Sequence, residues 1–109
     1  MANTNVNAQS APAATTRTDL YTVPSATNTV LSSVIICNTS SSTSDTFELT
    51  LAPLGATHGI SQYLYKGVTV PASQTFIATI GIAMTATDKI RVYSTGGNLT
   101  FTVCGVQVA

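Results

Sequence analysis

Gln62-Tyr-Leu-Tyr-Lys-Gly-Val-Thr-Val-Pro-Ala-Ser-Gln-Thr-Phe-Ile-Ala-Thr-Ile-Gly-Ile-Ala-Met-Thr-Ala-Thr-Asp-Lys-Ile-Arg-Val-Tyr93 decides how this chain is read. β-Branched and aromatic residues fill three runs, and Pro71-Ala72-Ser73 and Thr87-Asp88 interrupt them, which spells three strands and two breaks. In the first run the period of two places Tyr63 and Tyr65 on one face and Leu64 on the other, with a bulge at Lys66-Gly67 before Val68-Thr69-Val70. In the second, Phe76, Ala78, Ile80 and Ile82 alternate with Ile77, Thr79 and Gly81; both faces are partly apolar, so the strand is expected inside a sheet. In the third, Ile90 and Val92 point inward while Lys89, Arg91 and Tyr93 point out.

The flanking sequence repeats this grammar. Asp19–Val23 is a short strand stopped by Pro24, which cannot donate to a ladder and suits an edge or a strand end. In Thr29–Asn38 the apolar residues run together at Val34–Cys37, the pattern of a central strand covered on both faces, with Val34 and Ile36 toward one layer and Ile35 and Cys37 toward the other. Phe47, Leu49 and Leu51 alternate with polar or small residues, as do Leu99, Phe101 and Val103, and Gly105 marks a bend where the alternation slips. Between the runs lie a hydroxyl loop at Thr39–Asp45, an irregular connection at Pro53–Ser61, and Thr95-Gly96-Gly97-Asn98, which reads as a hairpin turn. Seven or eight short strands at intervals of about ten residues predict an all-β protein, an antiparallel β-sandwich or jelly roll. Its expected core is Val34, Ile36, Phe47, Leu49, Leu51, Phe76, Ile80, Ile90, Val92, Leu99, Phe101 and Val103.

The 109 residues suffice for one domain with one modest core. Only 7% of residues are charged against 44% hydrophobic, and the formal net charge is zero, so Ser, Thr and Asn supply the polarity. Such a surface has no clustered Lys and Arg with which to hold nucleic acid or anionic lipid, and no direct contact with either is expected. No apolar run approaches the roughly 18 residues of a membrane helix, and the first fourteen residues lack the basic and apolar segments of a secretory signal, so synthesis in a cytoplasm is expected. On that expectation the sequons Asn38-Thr39-Ser40 and Asn98-Leu99-Thr100 are accidental. Cys37 and Cys104 are read as two reduced, buried small hydrophobes, with a disulfide between early and late strands as the alternative. One His and two distant Cys do not have the spacing of a zinc site, so no metal and no cofactor is expected. With four acids, a lone loop histidine at His58 and no nucleophile elbow, no catalytic residue is assigned and the protein is not expected to be an enzyme.

Residues 1–18 are rich in Asn, Thr, Ala, Gln and Ser, and beyond Met1 their only large apolar side chain is Val6. They are expected to form an extended N-terminal arm lying across a neighbouring chain, outside a sandwich of residues 19–109. The candidate subunit contacts are Val6 and Arg17 of the arm, the tyrosines Tyr63 and Tyr65, and the outward row Lys89, Arg91 and Tyr93.

The order and spacing of Leu20-Tyr21-Thr22-Val23-Pro24, Val34-Ile35-Ile36-Cys37-Asn38-Thr39-Ser40, Tyr63-Leu64-Tyr65, Thr75-Phe76 and Asp88-Lys89-Ile90-Arg91-Val92-Tyr93 resemble a family of small tailed-bacteriophage virion proteins. The resemblance covers residues 19 to 105. It implies a non-enzymatic structural subunit of a phage particle, assembled in the host cytoplasm and located in the virion. The leading expectation is a capsid decoration or cement protein seated at junctions of the major capsid protein, contacting copies of itself as a trimer. The alternative is a tail, baseplate or fibre-associated module that binds a tail protein, or a host glycan through Tyr63, Tyr65 or Tyr93.

Overall fold

Eight stretches of alternating or β-branched residues become strands in the computed structural model, which describes residues 3–108: β1 (Asn3–Ser10), β2 (Thr18–Thr22), β3 (Asn28–Asn38), β4 (Asp45–Ala52), β5 (Tyr63–Val70), β6 (Thr75–Met84), β7 (Lys89–Ser94) and β8 (Leu99–Val108). Two single 3-10 turns, Pro53–Gly55 and Ile60–Gln62, interrupt the β4–β5 connection. The strands form two four-stranded sheets, in the orders β1-β8-β3-β6 and β2-β7-β4-β5, with every pairing antiparallel. Only β4 and β5 are neighbours both in sequence and in a sheet. Every other connection crosses from one sheet to the other. The Gly96-Gly97 turn is therefore a bridge between sheets and not the hairpin its composition suggested.

Nine expected core residues, Val34, Ile36, Phe47, Leu49, Ile90, Val92, Leu99, Phe101 and Val103, are fully shielded, and Leu51, Phe76 and Ile80 pack against them half-buried. Phe47 of β4 links the layers: its ring centre lies 5.5 Å from that of Phe76 and 6.1 Å from that of Phe101 in the opposite sheet, and 6.0 Å from Tyr65 beside it. Tilted and edge-on pairs at this spacing add to the area they bury. Val6, Leu20, Val23, Leu31, Val70, Ala78 and Met84 complete the core.

Several expectations are corrected here. Residues 3–10 are not an arm reaching to a neighbour. They pair residue for residue with β8, Asn3 opposite Val108 through Ser10 opposite Phe101, and Val6 is 7% exposed. A polar strand can hold an edge because β8 satisfies its backbone and only one face needs apolar residues, a demand that Val6 and half-buried Ala8 meet. The division expected after residue 18 falls inside β2. β6 is an edge strand, with Ile77 61% exposed, and not an internal one. β3 does sit centrally, between β8 and β6, but of Val34, Ile35, Ile36 and Cys37 only Val34 and Ile36 enter the core; Ile35 and Cys37 lie half-buried on an outer face.

Bulges set the facing of side chains. Ser32 is an extra residue on β3, so Thr29 and Leu31 point to the core before it and Val34, Ile36 and Asn38 after it. Gly67, at φ +65°, is extra on β5 as expected, and so is Leu64. The Leu64 insertion places Tyr65 opposite core residue Leu49 and Tyr63 opposite Thr50, which sends the two tyrosines to opposite faces. Gly105 sits beside the Ser32 bulge, where a Cβ would lie 2.4 Å from the Val30 carbonyl oxygen and 2.8 Å from Leu31. The chain comes too close there for any side chain.

Two buried polar residues hold the crossings at one end of the sandwich. Asn38 donates to the carbonyls of Thr43 and Val70, both at 3.0 Å, and accepts from Ser40 N at 2.9 Å, which shapes the hydroxyl loop. The Asp45 carboxylate accepts from Thr46 N (2.8 Å), Ser94 Oγ (2.7 Å), Gly96 N (2.8 Å) and Asn98 N (3.0 Å), so one side chain satisfies the β7–β8 turn. Burial alone would push its pKa up; the hydrogen bonds from Ser94, Asn98, Gly96 and Thr46 outweigh that and hold it below the ordinary aspartate value.

Two outcomes follow from this geometry. Gly105→Ala should cost about 1 to 3 kcal/mol by overpacking, read as a lower urea midpoint; an unchanged midpoint contradicts the close approach. Because the Asp45 pKa is lowered on folding, its contribution is fully present above the unfolded value near about pH 4 and is lost as pH falls through the folded value. Melting temperature should thus fall below about pH 4, and Asp45→Asn should lower neutral-pH stability by on the order of 2 kcal/mol while flattening the acid decline. An acid decline as steep in the variant as in the parent would show that Asp45 is not its source.

Candidate interaction surfaces

The β2-β7-β4-β5 sheet carries the charge, most of it on the outer face. Asp19, Asp45, Glu48, Lys66, Lys89 and Arg91 lie in its strands, and Arg17 and Asp88 immediately precede β2 and β7. Register brings them together: Glu48 is opposite Tyr93 on one side and Lys66 on the other, Thr50 opposite Arg91 and Tyr63, and Asp19 opposite Arg91. Arg17 lies across this surface. Its guanidinium donates to Glu48 Oε1 and its central carbon is 5.1 Å from the ring centre of Tyr93 and 5.7 Å from that of Tyr63. Lys66 Nζ is 5.3 Å from the Tyr63 centre and 3.9 Å from Glu48 Oε2. His58 meets Tyr63 edge-on, with Nε2 3.2 Å from the phenol oxygen. A flat guanidinium can donate to a carboxylate from its edge while its face lies against the rings.

A second cluster anchors the β4–β5 connection. Lys89 Nζ donates to Asp19 at 2.7 Å and Arg91 Nε donates to its other oxygen at 2.9 Å. The hydrogen bond from Lys89 foremost, with that from Arg91 and both positive charges, outweighs partial burial and lowers the Asp19 pKa. Arg91 also donates to the carbonyls of Ala56 (2.7 Å) and Gly55 (3.2 Å), and Asp88 accepts from Leu54 N at 2.9 Å. The loop so held presents Leu54, 74% exposed, and Ile60, 89% exposed, to solvent.

The opposite outer face differs in kind. None of β1, β8, β3 or β6 contains a charged residue. Val30 lies between Val106 and Ala83 across three strands, and Ile35 between Thr102 and Ile77, with Ser and Thr around them. The cysteines are free and half-buried on this face, not buried in the core; Cys37 is opposite Thr100 and Cys104 opposite Ser33, so they are not cross-strand neighbours.

Of the residues expected to make contacts, the fold brings Arg17, Tyr63 and Tyr93 into one patch and places Lys89 and Arg91 beside it. Val6 and Tyr65 lie apart from it: Val6 is core, and half-buried Tyr65 packs against Phe47 and, at 5.8 Å, Phe76. Glu48, His58 and Lys66 belong to the patch and were not foreseen. The outward phase of Glu48 on β4 was readable from Phe47 and Leu49, but its partners come from strands distant in sequence. Among the described residues no three His, Cys, Asp or Glu side chains group as metal ligands, and no helix is long and apolar enough to cross a membrane. No protein-family model matches the chain, and no curated protein is similar to it.

Arg17→Ala should cost about 1 to 2 kcal/mol, since it removes the cation from both rings and leaves shielded Glu48 with distant Lys66 alone. Arg17→Lys should recover less than half of that. Chemical denaturation checks both, and equal stability of all three proteins would show the patch to be incidental.

Proposed function

We propose that this chain is a non-enzymatic structural subunit of a bacteriophage virion, a jelly roll that decorates the head and braces junctions between major capsid subunits. The observation that carries the reading is the strand order. Two antiparallel sheets ordered β1-β8-β3-β6 and β2-β7-β4-β5, with all connections but one crossing between them, support reading the sandwich as a jelly roll, an architecture used by viral coat and lectin domains. The resemblance of residues 19 to 105 to small phage virion proteins supports the first of these. The tyrosine patch favours it too: a sugar would stack on open ring faces, whereas Tyr63 and Tyr93 each already lie against a cation.

In this reading the work is mechanical. The Arg17–Glu48–Tyr63–Tyr93 patch and the fixed apolar tips Leu54 and Ile60 face the major capsid protein, and the cross-links within the patch hold its shape in advance, so little ordering cost is paid on docking. Each copy adds a modest contact, and many copies together resist the outward pressure of packed DNA.

Quantitative gel analysis of purified particles tests the assignment. Decoration predicts a copy number commensurate with that of the major capsid protein, and particles assembled without the chain should release DNA at a lower temperature. A copy number matching the tail, or absence from the particle, overturns it.

A further inference from the structure

We propose that the uncharged outer face of the β1-β8-β3-β6 sheet is where two copies of this chain meet, face to face about a two-fold axis. All eight charged residues lie in or next to the other sheet, although it has the shorter strands. A partition so complete leaves one face whose described side chains carry no charge of either sign. It carries exposed apolar side chains: Ile77 is 61% exposed, Val30 52% and Val106 38%, with half-buried Ile35 beside Ile77.

The occupant follows from what the face can and cannot accept. A charged partner surface would be desolvated against hydroxyls and methyls with no counter-charge to meet it, which is costly. The charged sheet of another copy is excluded on that ground. The surface in this structure that matches an uncharged, Thr-rich, β-branched face is the same face of a second copy, and a patch that complements itself closes with two-fold symmetry. The zero net charge adds no repulsion between copies. Size suffices: four strands about 4.8 Å apart and about ten residues long make a face of roughly 600 Å², so two copies cover about 1,200 Å², the lower end of specific interfaces. Sheets stack in this way about 10 Å apart, with side chains interleaved. Such a contact is a dimer and differs from the trimer expected from the sequence. It does not rest on the capsid reading, because the copies pair free in solution.

Sedimentation equilibrium of the purified chain across the micromolar to millimolar range is the test, with circular dichroism to confirm folding. The parent should dimerise. Ile77→Lys and, separately, Val30→Lys should raise the dissociation constant roughly a hundredfold or more by burying an unpaired charge, whereas Thr69→Lys, exposed on β5, should leave it unchanged. A second readout needs no variant: alkylation of Cys37 and Cys104, both on this face, should slow as protein concentration rises. A parent that stays monomeric with alkylation independent of concentration overturns the proposal. So does a dimer indifferent to both lysines, or one that Thr69→Lys breaks equally. Alkylation that slows only when heads lacking the protein are added assigns the face to the capsid instead and also overturns it.

Discussion

Phe47 is where the two sheets become one body. Its ring meets Phe76 and Phe101 across the interior and Tyr65 at its side, so strands from both layers and from both halves of the chain converge on a single residue with no exposed surface. This matters because six of the seven connections leave one sheet for the other, and neighbouring strands in sequence, β4 and β5 apart, share no ladder. Backbone pairing holds each sheet, while packing, the end turns and side-chain hydrogen bonds such as those of Tyr21 to Thr29 and Gln107 hold the sheets together. Nearly all the structure depends on contacts between distant residues, an arrangement that forms late and cooperatively because loop closure must precede its stabilisation.

The crossings impose a second demand, since a turn between layers passes over the end of the core, where its backbone groups lose water. Asp45 and Asn38 meet that demand from the ends of β4 and β3. A carboxylate suits the β7–β8 turn because it accepts four hydrogen bonds at once, and an amide suits the β3–β4 loop because it must both donate and accept. Charge is otherwise kept on one side of the molecule. There it is cross-linked by Arg17, Asp19, Glu48 and Arg91 into a rigid relief, while the other side stays neutral. A subunit with one patterned face and one neutral face is suited to lie between unlike neighbours, which is the place the proposed roles give it.

Much of the fold was legible in the residues. The all-β class, the strand positions, the inward phase of Phe47, Leu49, Ile90, Val92, Leu99, Phe101 and Val103, and the Gly67 bulge follow from local alternation and turn chemistry, because a period of two in β-branched and aromatic residues records which face is dry. The candidate patch was half legible. Tyr63, Tyr93 and Arg17 stood out as residue types, but Tyr65 was put on the wrong face because nothing in Tyr-Leu-Tyr announces that Leu64 is an inserted residue. The role of residues 3–10 was hidden for a related reason: an edge strand needs so few apolar residues that its composition matches that of a tail.

Composition and periodicity alone determined that this chain is built of strands, has a single core, and carries few charges in a hydroxyl-rich coat, since each of these is a local or summed property of the residues. Tertiary structure alone decided which strand lies beside which, that the Gly96-Gly97 turn changes layers, that Arg17 reaches Glu48 and two tyrosines, and that every charge collects on one sheet. Those facts depend on pairings between residues dozens of positions apart, and the free energy that selects among such pairings is shared across the whole core.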